Sequence, residues 1–144
     1  MKNILIVCTA NKARSVMAME IANFLARKAG KSDELYFDSA GIAVMGSESD
    51  PVVKRILADM GIESAHNPTH FSYLDLNDFD EIHVMTKRQK TALLKLGSHN
   101  KNAETERKIR VLNISDPFGK GEDEYRGCLE RLRDFYENFI SRHD

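Results

Sequence analysis

The sequence of 144 residues is poor in cysteine and has no excess of charge of either sign. Its two cysteines, Cys8 and Cys128, are too few for the disulfide framework of a small secreted protein. No C-x-x-C pair of the kind that binds zinc is present. The sequence therefore predicts a protein of a reducing compartment, and we expect a cytoplasmic location.

The charge balance and the lack of long hydrophobic runs exclude further classes of function. Lys and Arg total 21 against 22 for Asp and Glu, so no overall field attracts nucleic acid or anionic lipid. The run Ile4–Val7 is too short for a signal segment, and no stretch approaches the roughly 20 apolar residues of a membrane helix. We expect neither a nucleic-acid nor a membrane partner, and any anion site must be built locally.

The sequence does contain a regular alternation of strand and helix patterns. Short apolar strands are predicted at Ile4–Val7, Leu35–Phe37, Glu81–Met85 and Arg110–Leu112. Helical spacing follows each of them, in segments that end near Ala29, Met60, Leu96 and Phe139. The polar stretch Ser98–Lys108 is predicted to be an exposed loop. Length and alternation together predict a single α/β domain over residues 1–144, a three-layer sandwich with a parallel sheet of about four strands flanked by helices.

The segment Cys8–Ser15, with the sequence CTANKARS, directly follows the first strand. Ligands of parallel sheets bind at this place, where loops lead into helix N-termini. Amides of such a loop and the fork of Arg14 can hold the oxygens of a tetrahedral oxyanion, and the same donors stabilise a thiolate at Cys8. The sequence predicts a phosphate-binding loop made of Thr9, Ala10, Asn11, Lys12, Ala13, Arg14 and Ser15.

The C-x5-R-S pattern of this loop resembles that of the low-molecular-weight protein tyrosine phosphatases. Asp116-Pro117-Phe118-Gly119 is similar to the late D-P-[FY] loop of that family, and Ser39-Ala40-Gly41 to its S-A-G turn after the second strand. His66 lies where the family has a His after the second helix. Spacing and order agree over essentially the whole chain.

The resemblance implies a role for each residue of the catalytic group. Cys8 is the nucleophile that forms a cysteinyl-phosphate, and Arg14 holds the oxygens of the phosphoryl group. Asp116 is the general acid, and Pro117 restricts its backbone to an extended conformation. No metal or other cofactor is required, because the protein's own donors supply the positive charge. The expected partner is a phosphorylated protein substrate.

A second set of residues is expected to support this group. By the same resemblance, Asn11 braces the loop in a left-handed backbone conformation and Ser15 gives a hydrogen bond to the thiolate. Ser39 and His66 resemble the residues that hold Asn11 in place. Cys128, on the last helix, is interpreted as a packing residue. His66 and His70 are not expected to form a metal pair, because Pro68 lies between them.

The loop also departs from the family pattern. Ala10 stands where the family usually has Gly, so loop shape is in question if that position needs a positive φ. Lys12 replaces an apolar residue or, in members that act on phosphoarginine, a Thr; a cation at the rim repels a guanidinium substrate and favours phosphotyrosine. Phe118 followed by Gly119 resembles the arginine-directed members instead. Met45 is expected to wall the substrate ring together with Phe118.

The residues therefore favour a protein-tyrosine phosphatase and leave a protein-arginine phosphatase open as the alternative. Two non-hydrolytic interpretations are less favoured. A phosphate carrier must avoid hydrolysing its own phosphocysteine, which Arg14 and Asp116 promote, and a phospho-binding module with impaired chemistry rests only on Ala10. A thiol-based arsenate reductase would need two further redox cysteines. Nothing in the sequence requires self-association, so the oligomeric state stays open.

Overall fold

A parallel four-stranded sheet forms the centre of the computed structural model, which describes residues 1–96 and 102–143. The strands are β1 (Lys2–Cys8), β2 (Leu35–Gly41), β3 (Glu81–Val84) and β4 (Ile109–Val111), and they lie in the order β2-β1-β3-β4. The helices are α1 (Arg14–Lys28), α2 (Pro51–Ala58), α3 (Lys87–Leu96), α4 (Asn102–Lys108) and α5 (Glu122–Ser141). Short 3-10 turns occupy Phe71–Tyr73 and Leu76–Asp78.

Successive side chains of β1 point to opposite faces of the sheet, and most of them are buried. Helices and loops therefore cover both faces. Ile4, Ile6 and Cys8 point into a core shared with α1, α2 and α5. Leu5 and Val7 point into a second core, which α3 and the segment with the 3-10 turns complete. The predicted three-layer α/β sandwich with a four-stranded parallel sheet is confirmed. No helix within the described part of the chain is long and apolar enough to span a membrane.

The second strand is longer than its apolar residues predict. The sequence predicts a strand that ends at Phe37 and a turn at Ser39-Ala40-Gly41, but the ladder continues to a pair between Cys8 and Gly41. Asp38 and Ser39 break the apolar run, yet β1 beside them offers backbone partners as far as Cys8. The ladder therefore ends where β1 ends, and it brings Ser39 and Gly41 to the edge at which the phosphate-binding loop begins.

The prediction of a loop over Ser98–Lys108 is wrong for its last part. Residues 98–101 lie outside the described residues, but Asn102–Lys108 form α4. Among residues 103–108 of this helix, Thr105 is buried, at 5% exposure, and Glu106 pairs with Lys90 of α3 at 3.5 Å. A helix that buries so little has no apolar stripe, so the periodicity of the sequence did not indicate it.

Candidate active site

Cys8 and Arg14 mark the two ends of a loop at the carboxyl edge of the sheet. Cys8 is the last residue of β1 and is 3% exposed, while Arg14 is the first residue of α1 and is 6% exposed. Both side chains reach a cavity of about 790 Å³. The strand and helix on either side of the loop therefore place a thiol and a guanidinium at the same opening.

Hydrogen bonds to its backbone carbonyls fix the orientation of the peptide planes in this loop. The Thr9 carbonyl accepts from the amides of Ile42 (2.9 Å) and Ala43 (2.8 Å), and the Lys12 carbonyl accepts from the amide of Asp50 (3.1 Å). In a planar trans peptide, the carbonyl and the following N–H point in opposite directions. The Ala10 and Ala13 amides are consequently directed away from these anchors, as an oxyanion-binding loop requires.

Asn11 is the centre of a buried hydrogen-bond network. It adopts a left-handed conformation with φ of 57° and is fully buried. Its Nδ2 donates to the hydroxyls of Ser15 (2.7 Å) and Ser39 (3.0 Å). Its Oδ1 accepts from His66 Nε2 (2.7 Å) and from the amide of Thr69 (2.8 Å). The four residues expected to support the loop thus lie in one cluster.

This network ends at the sulfur of Cys8. The Ser15 hydroxyl lies 3.0 Å from Cys8 Sγ and also accepts from Asn11 Nδ2, which leaves the hydroxyl hydrogen for the sulfur. Burial lowers the pKa of His66 below its usual value, against opposing effects of nearby carboxylates. A neutral imidazole with its proton on Nε2 fits the donor role toward Asn11. The cluster is therefore arranged to give one hydrogen bond to a thiolate at Cys8.

Arg14 and Asp116 meet across the opening from different elements. Arg14 Nη1 donates to the carbonyl of Ile114 (2.9 Å), and Nη2 lies 3.7 Å from Asp116 Oδ2. The other oxygen of Asp116 accepts from the amide of Phe118 at 3.0 Å. The Asp116 side chain is 55% exposed. A carboxyl group held beside the guanidinium and open to solvent is placed to exchange a proton with a bound phosphoester.

The residues predicted to form the rim also line the cavity. Met45 and Phe118 are 77% and 74% exposed, and Lys12 lies in the same wall. Acidic groups are present as well, since Glu48 and Asp50 line the cavity together with Asp116. The entrance therefore combines exposed apolar side chains with charges of both signs.

Ala10 does not have a positive φ, so its position does not need the glycine that the family usually has there. Within residues 1–96 and 102–143, the non-glycine residues with positive φ are Asn11 and Asn113. The steric need for glycine arises at Gly41 instead. A Cβ there would lie 2.9 Å from the Thr9 carbonyl oxygen and 3.0 Å from the Ala10 carbonyl carbon.

Several supporting residues carry no signal in the sequence. Gln89 Nε2 donates to the Thr9 hydroxyl (3.1 Å), while Gln89 Oε1 accepts from the Met85 amide (2.8 Å). The Thr69 amide and the Ile114 carbonyl act through the backbone, so their side chains could not indicate them. For Gln89, the sequence offers only its position five residues after the end of β3, at the same edge of the sheet.

The remaining cysteine and histidine residues have other surroundings. Cys128 is fully buried, and burial raises the pKa of its thiol to about 11. His66 Nε2 is bonded to Asn11, whereas His70 Nε2 donates to the Ile42 carbonyl at 2.9 Å. Among the described residues, no group of three or more His, Cys, Asp or Glu side chains is arranged to hold a metal ion.

Comparisons with known proteins cover nearly the whole chain. The family model described as "Low molecular weight phosphotyrosine protein phosphatase" matches residues 3–143. A protein-arginine-phosphatase of Geobacillus stearothermophilus is 32% identical over 144 residues, which cover 96% of this chain and 94% of the relative. A low molecular weight phosphotyrosine protein phosphatase of Schizosaccharomyces pombe is 26% identical over 150 residues, with 95% and 94% coverage. The crystal structure of a Vibrio cholerae low molecular weight phosphotyrosine phosphatase has a TM-score of 0.87 at 20% identity, covering 98% of this chain and 95% of that one.

Proposed function

Because the chain belongs to the low molecular weight phosphotyrosine protein phosphatase family, we propose that it hydrolyses phosphotyrosine in proteins with Cys8 as the nucleophile. One observation carries the assignment to these residues. Cys8 Sγ lies 3.0 Å from the Ser15 hydroxyl, in a cavity that Arg14 and Asp116 also line. The proposed domain takes in residues 1–144, supported by the family match over residues 3–143.

In the first step, the Cys8 thiolate attacks phosphorus. A sulfur–phosphorus bond forms while the bond from phosphorus to the tyrosine oxygen breaks. Asp116 donates its proton to the leaving phenolate oxygen, and Arg14 together with the loop amides holds the three equatorial oxygens. The products of this step are a free tyrosine side chain and a cysteinyl-phosphate.

In the second step, water attacks the phosphorus of the cysteinyl-phosphate. Asp116, now a carboxylate, takes a proton from that water. The sulfur–phosphorus bond breaks, the Cys8 thiolate is restored with the Ser15 hydrogen bond, and inorganic phosphate leaves. A thiolate nucleophile must stay reduced, and Cys8 and Cys128 are both free cysteines. This chemistry supports the proposed cytoplasmic location, with a phosphorylated protein as the partner.

The nucleophile is tested by hydrolysis of p-nitrophenyl phosphate. Cys8→Ser is expected to leave no detectable turnover, because an alcohol is a much weaker nucleophile than a thiolate at neutral pH. Cys128→Ser is the matched control: the same change at the cysteine outside the cavity should keep kcat/KM within about twofold once the variant is shown to be folded. Turnover by Cys8→Ser at the wild-type rate would overturn the mechanism.

Protein-arginine phosphatase is the second candidate, favoured by the Geobacillus stearothermophilus relative. Lys12 argues against it, because this residue lines the cavity and its positive charge repels a guanidinium-derived substrate. Phosphotyrosine also presents an aromatic ring to Met45 and Phe118, which a phosphoarginine side chain does not.

The two substrates are distinguished by direct competition. Matched peptides that differ only in carrying phosphotyrosine or phosphoarginine should show a higher kcat/KM for phosphotyrosine. A clear preference for the phosphoarginine peptide would replace the first assignment with the second and leave the roles of Cys8, Arg14 and Asp116 unchanged.

A further inference from the structure

Asp50 connects three parts of the molecule that meet at the cavity. Its amide donates to the Lys12 carbonyl of the phosphate-binding loop at 3.1 Å. Its Oδ1 accepts from the Val52 amide at 3.0 Å and so caps the N-terminus of α2. Its Oδ2 accepts from the hydroxyl of Tyr125 at 2.7 Å. One residue therefore links the loop to α2 and, through Tyr125, to α5.

Tyr125 is buried in the first turns of α5, at 4% exposure. Burial and the neighbouring Asp50 carboxylate raise the pKa of its hydroxyl well above the usual value. The hydroxyl therefore stays protonated and donates to Asp50. Tyr125 lies on α5, which begins shortly after Asp116. The hydrogen bond from Tyr125 to Asp50 therefore also connects the phosphate-binding loop to the helix that follows the general acid.

The link determines the orientation of one peptide of the loop. When Tyr125 and the Val52 amide hold the carboxylate, they also fix the backbone of Asp50, whose N–H holds the Lys12 carbonyl. The amide of Ala13 then points to the opposite side of the same planar peptide. Donors aimed in advance at an oxyanion need no rearrangement when charge develops on it, which is the source of their effect on rate.

We propose that Tyr125 is a positioning residue of the active site, which acts through Asp50 to aim the Ala13 amide at the phosphoryl oxygens. The inference rests on the proposed phosphatase function. It assigns to Tyr125 a role in binding the transition state as well as in packing α5.

Tyr125→Phe removes the hydroxyl and keeps the ring. It is expected to lower kcat/KM for p-nitrophenyl phosphate by about tenfold and to weaken the binding of orthovanadate, measured by calorimetry, by a similar factor. The matched control is Tyr136→Phe on the same helix, which removes a buried hydroxyl 2.9 Å from His83 Nδ1. Tyr136 does not line the cavity. Its variant should lose stability to a similar extent, with kcat/KM and vanadate affinity within about twofold of wild type.

A pair of substitutions at Asp50 separates the link from the charge. Asp50→Asn removes the negative charge but keeps an oxygen for the Val52 amide and an NH₂ group that can bond to Tyr125. Asp50→Ala removes the charge and both contacts. We expect Asp50→Ala to match the loss in Tyr125→Phe and Asp50→Asn to recover most of it, to within about threefold of wild type.

The inference fails if Tyr125→Phe changes neither kcat/KM nor vanadate affinity by more than Tyr136→Phe does, or if Asp50→Ala and Asp50→Asn behave alike. A wild-type protein without turnover would contradict the proposed function, not this inference, because vanadate affinity reports on the loop without catalysis. Weaker vanadate binding by Tyr125→Phe in that case would still support the positioning role.

Discussion

Asp116 directs its two carboxylate oxygens at different partners. One oxygen accepts from the Phe118 amide, and the other lies 3.7 Å from Arg14 Nη2. The amide contact spans two residues and follows from the turn that Pro117 favours, so a local pattern indicates it. The approach to Arg14 joins residues far apart in the chain, and the sequence indicated it only through resemblance to a family.

A change of leaving group tests the acid role of Asp116. Asp116→Ala is expected to lower kcat on a phosphotyrosine peptide by about 10²–10⁴-fold, because tyrosine, with a pKa of about 10, leaves poorly without a proton. The loss on p-nitrophenyl phosphate should be much smaller, since nitrophenolate leaves readily unprotonated. Steady-state kinetics on both substrates measures this, and equal losses on the two would remove the acid role.

At the scale of elements, the end of β2 and the phosphate-binding loop touch at Gly41. The apolar run alone ended this strand at Phe37, but the ladder with β1 carries it to Gly41. A side chain at Gly41 would collide with the backbone at Thr9 and Ala10 and with Val44 Cγ2, 2.8 Å from the Cβ position. The glycine is required by this close approach between strand and loop.

Gly41→Ala should therefore lower both stability and activity. We expect a loss of about 1–3 kcal/mol in the free energy of unfolding, because the backbone of the loop must shift, with a fall in kcat/KM. Gly127→Ala is the matched control: its Cβ would meet the Arg131 side chain at an ordinary 3.6 Å inside α5. That variant should gain about 0.5–1 kcal/mol and keep its activity. Urea unfolding and p-nitrophenyl phosphate kinetics distinguish the two, and a neutral Gly41→Ala would show that the loop can yield.

At the scale of the whole molecule, a partly buried chain of hydrogen bonds connects the start of β3 to α5. Glu81 Oε1 accepts from His83 Nε2 at 3.0 Å, and His83 Nδ1 lies 2.9 Å from the Tyr136 hydroxyl. Burial lowers the pKa of His83, so the ring is neutral at pH 7, with its proton on Nε2 and its Nδ1 accepting from Tyr136. The hydrogen bond from His83, joined by Lys2, lowers the pKa of Glu81 from 4.5 to about 2.

The hydrogen bonds of Glu81 make part of the free energy of unfolding dependent on pH. A carboxyl group with a lowered pKa adds stability that is complete above pH 4.5 and is lost as the pH falls toward about 2. The difference between the two pKa values of Glu81 corresponds to about 3 kcal/mol of stability. Because the side chain is 24% exposed, solvent screening reduces this contribution to about 1–2 kcal/mol. Glu81→Gln should remove this amount at pH 7 and flatten the pH dependence between 4.5 and 2.

Urea unfolding at several pH values measures that effect. The control is Glu130→Gln, which changes an exposed carboxyl group on α5 and should leave both the free energy of unfolding and its pH dependence nearly unchanged. If Glu81→Gln keeps the wild-type slope below pH 4.5, the chain of Glu81, His83 and Tyr136 does not control acid stability.

The sequence by itself determined the strand order in the chain, the apolar faces and the loop from Cys8 to Arg14, because each of these depends on neighbouring residues or on a short period. It missed α4, whose burial is too small to leave a stripe, and it ended β2 early because a strand's length depends on its partner.

Only the tertiary structure decided which groups complete the site. Arg14 donates to the Ile114 carbonyl 100 residues away. Asn11 accepts from the Thr69 amide, and Tyr125 donates to Asp50. These contacts join backbone groups or side chains from elements that meet only after the sheet and helices have packed. No local period encodes such a meeting, because it depends on the relative positions of whole elements.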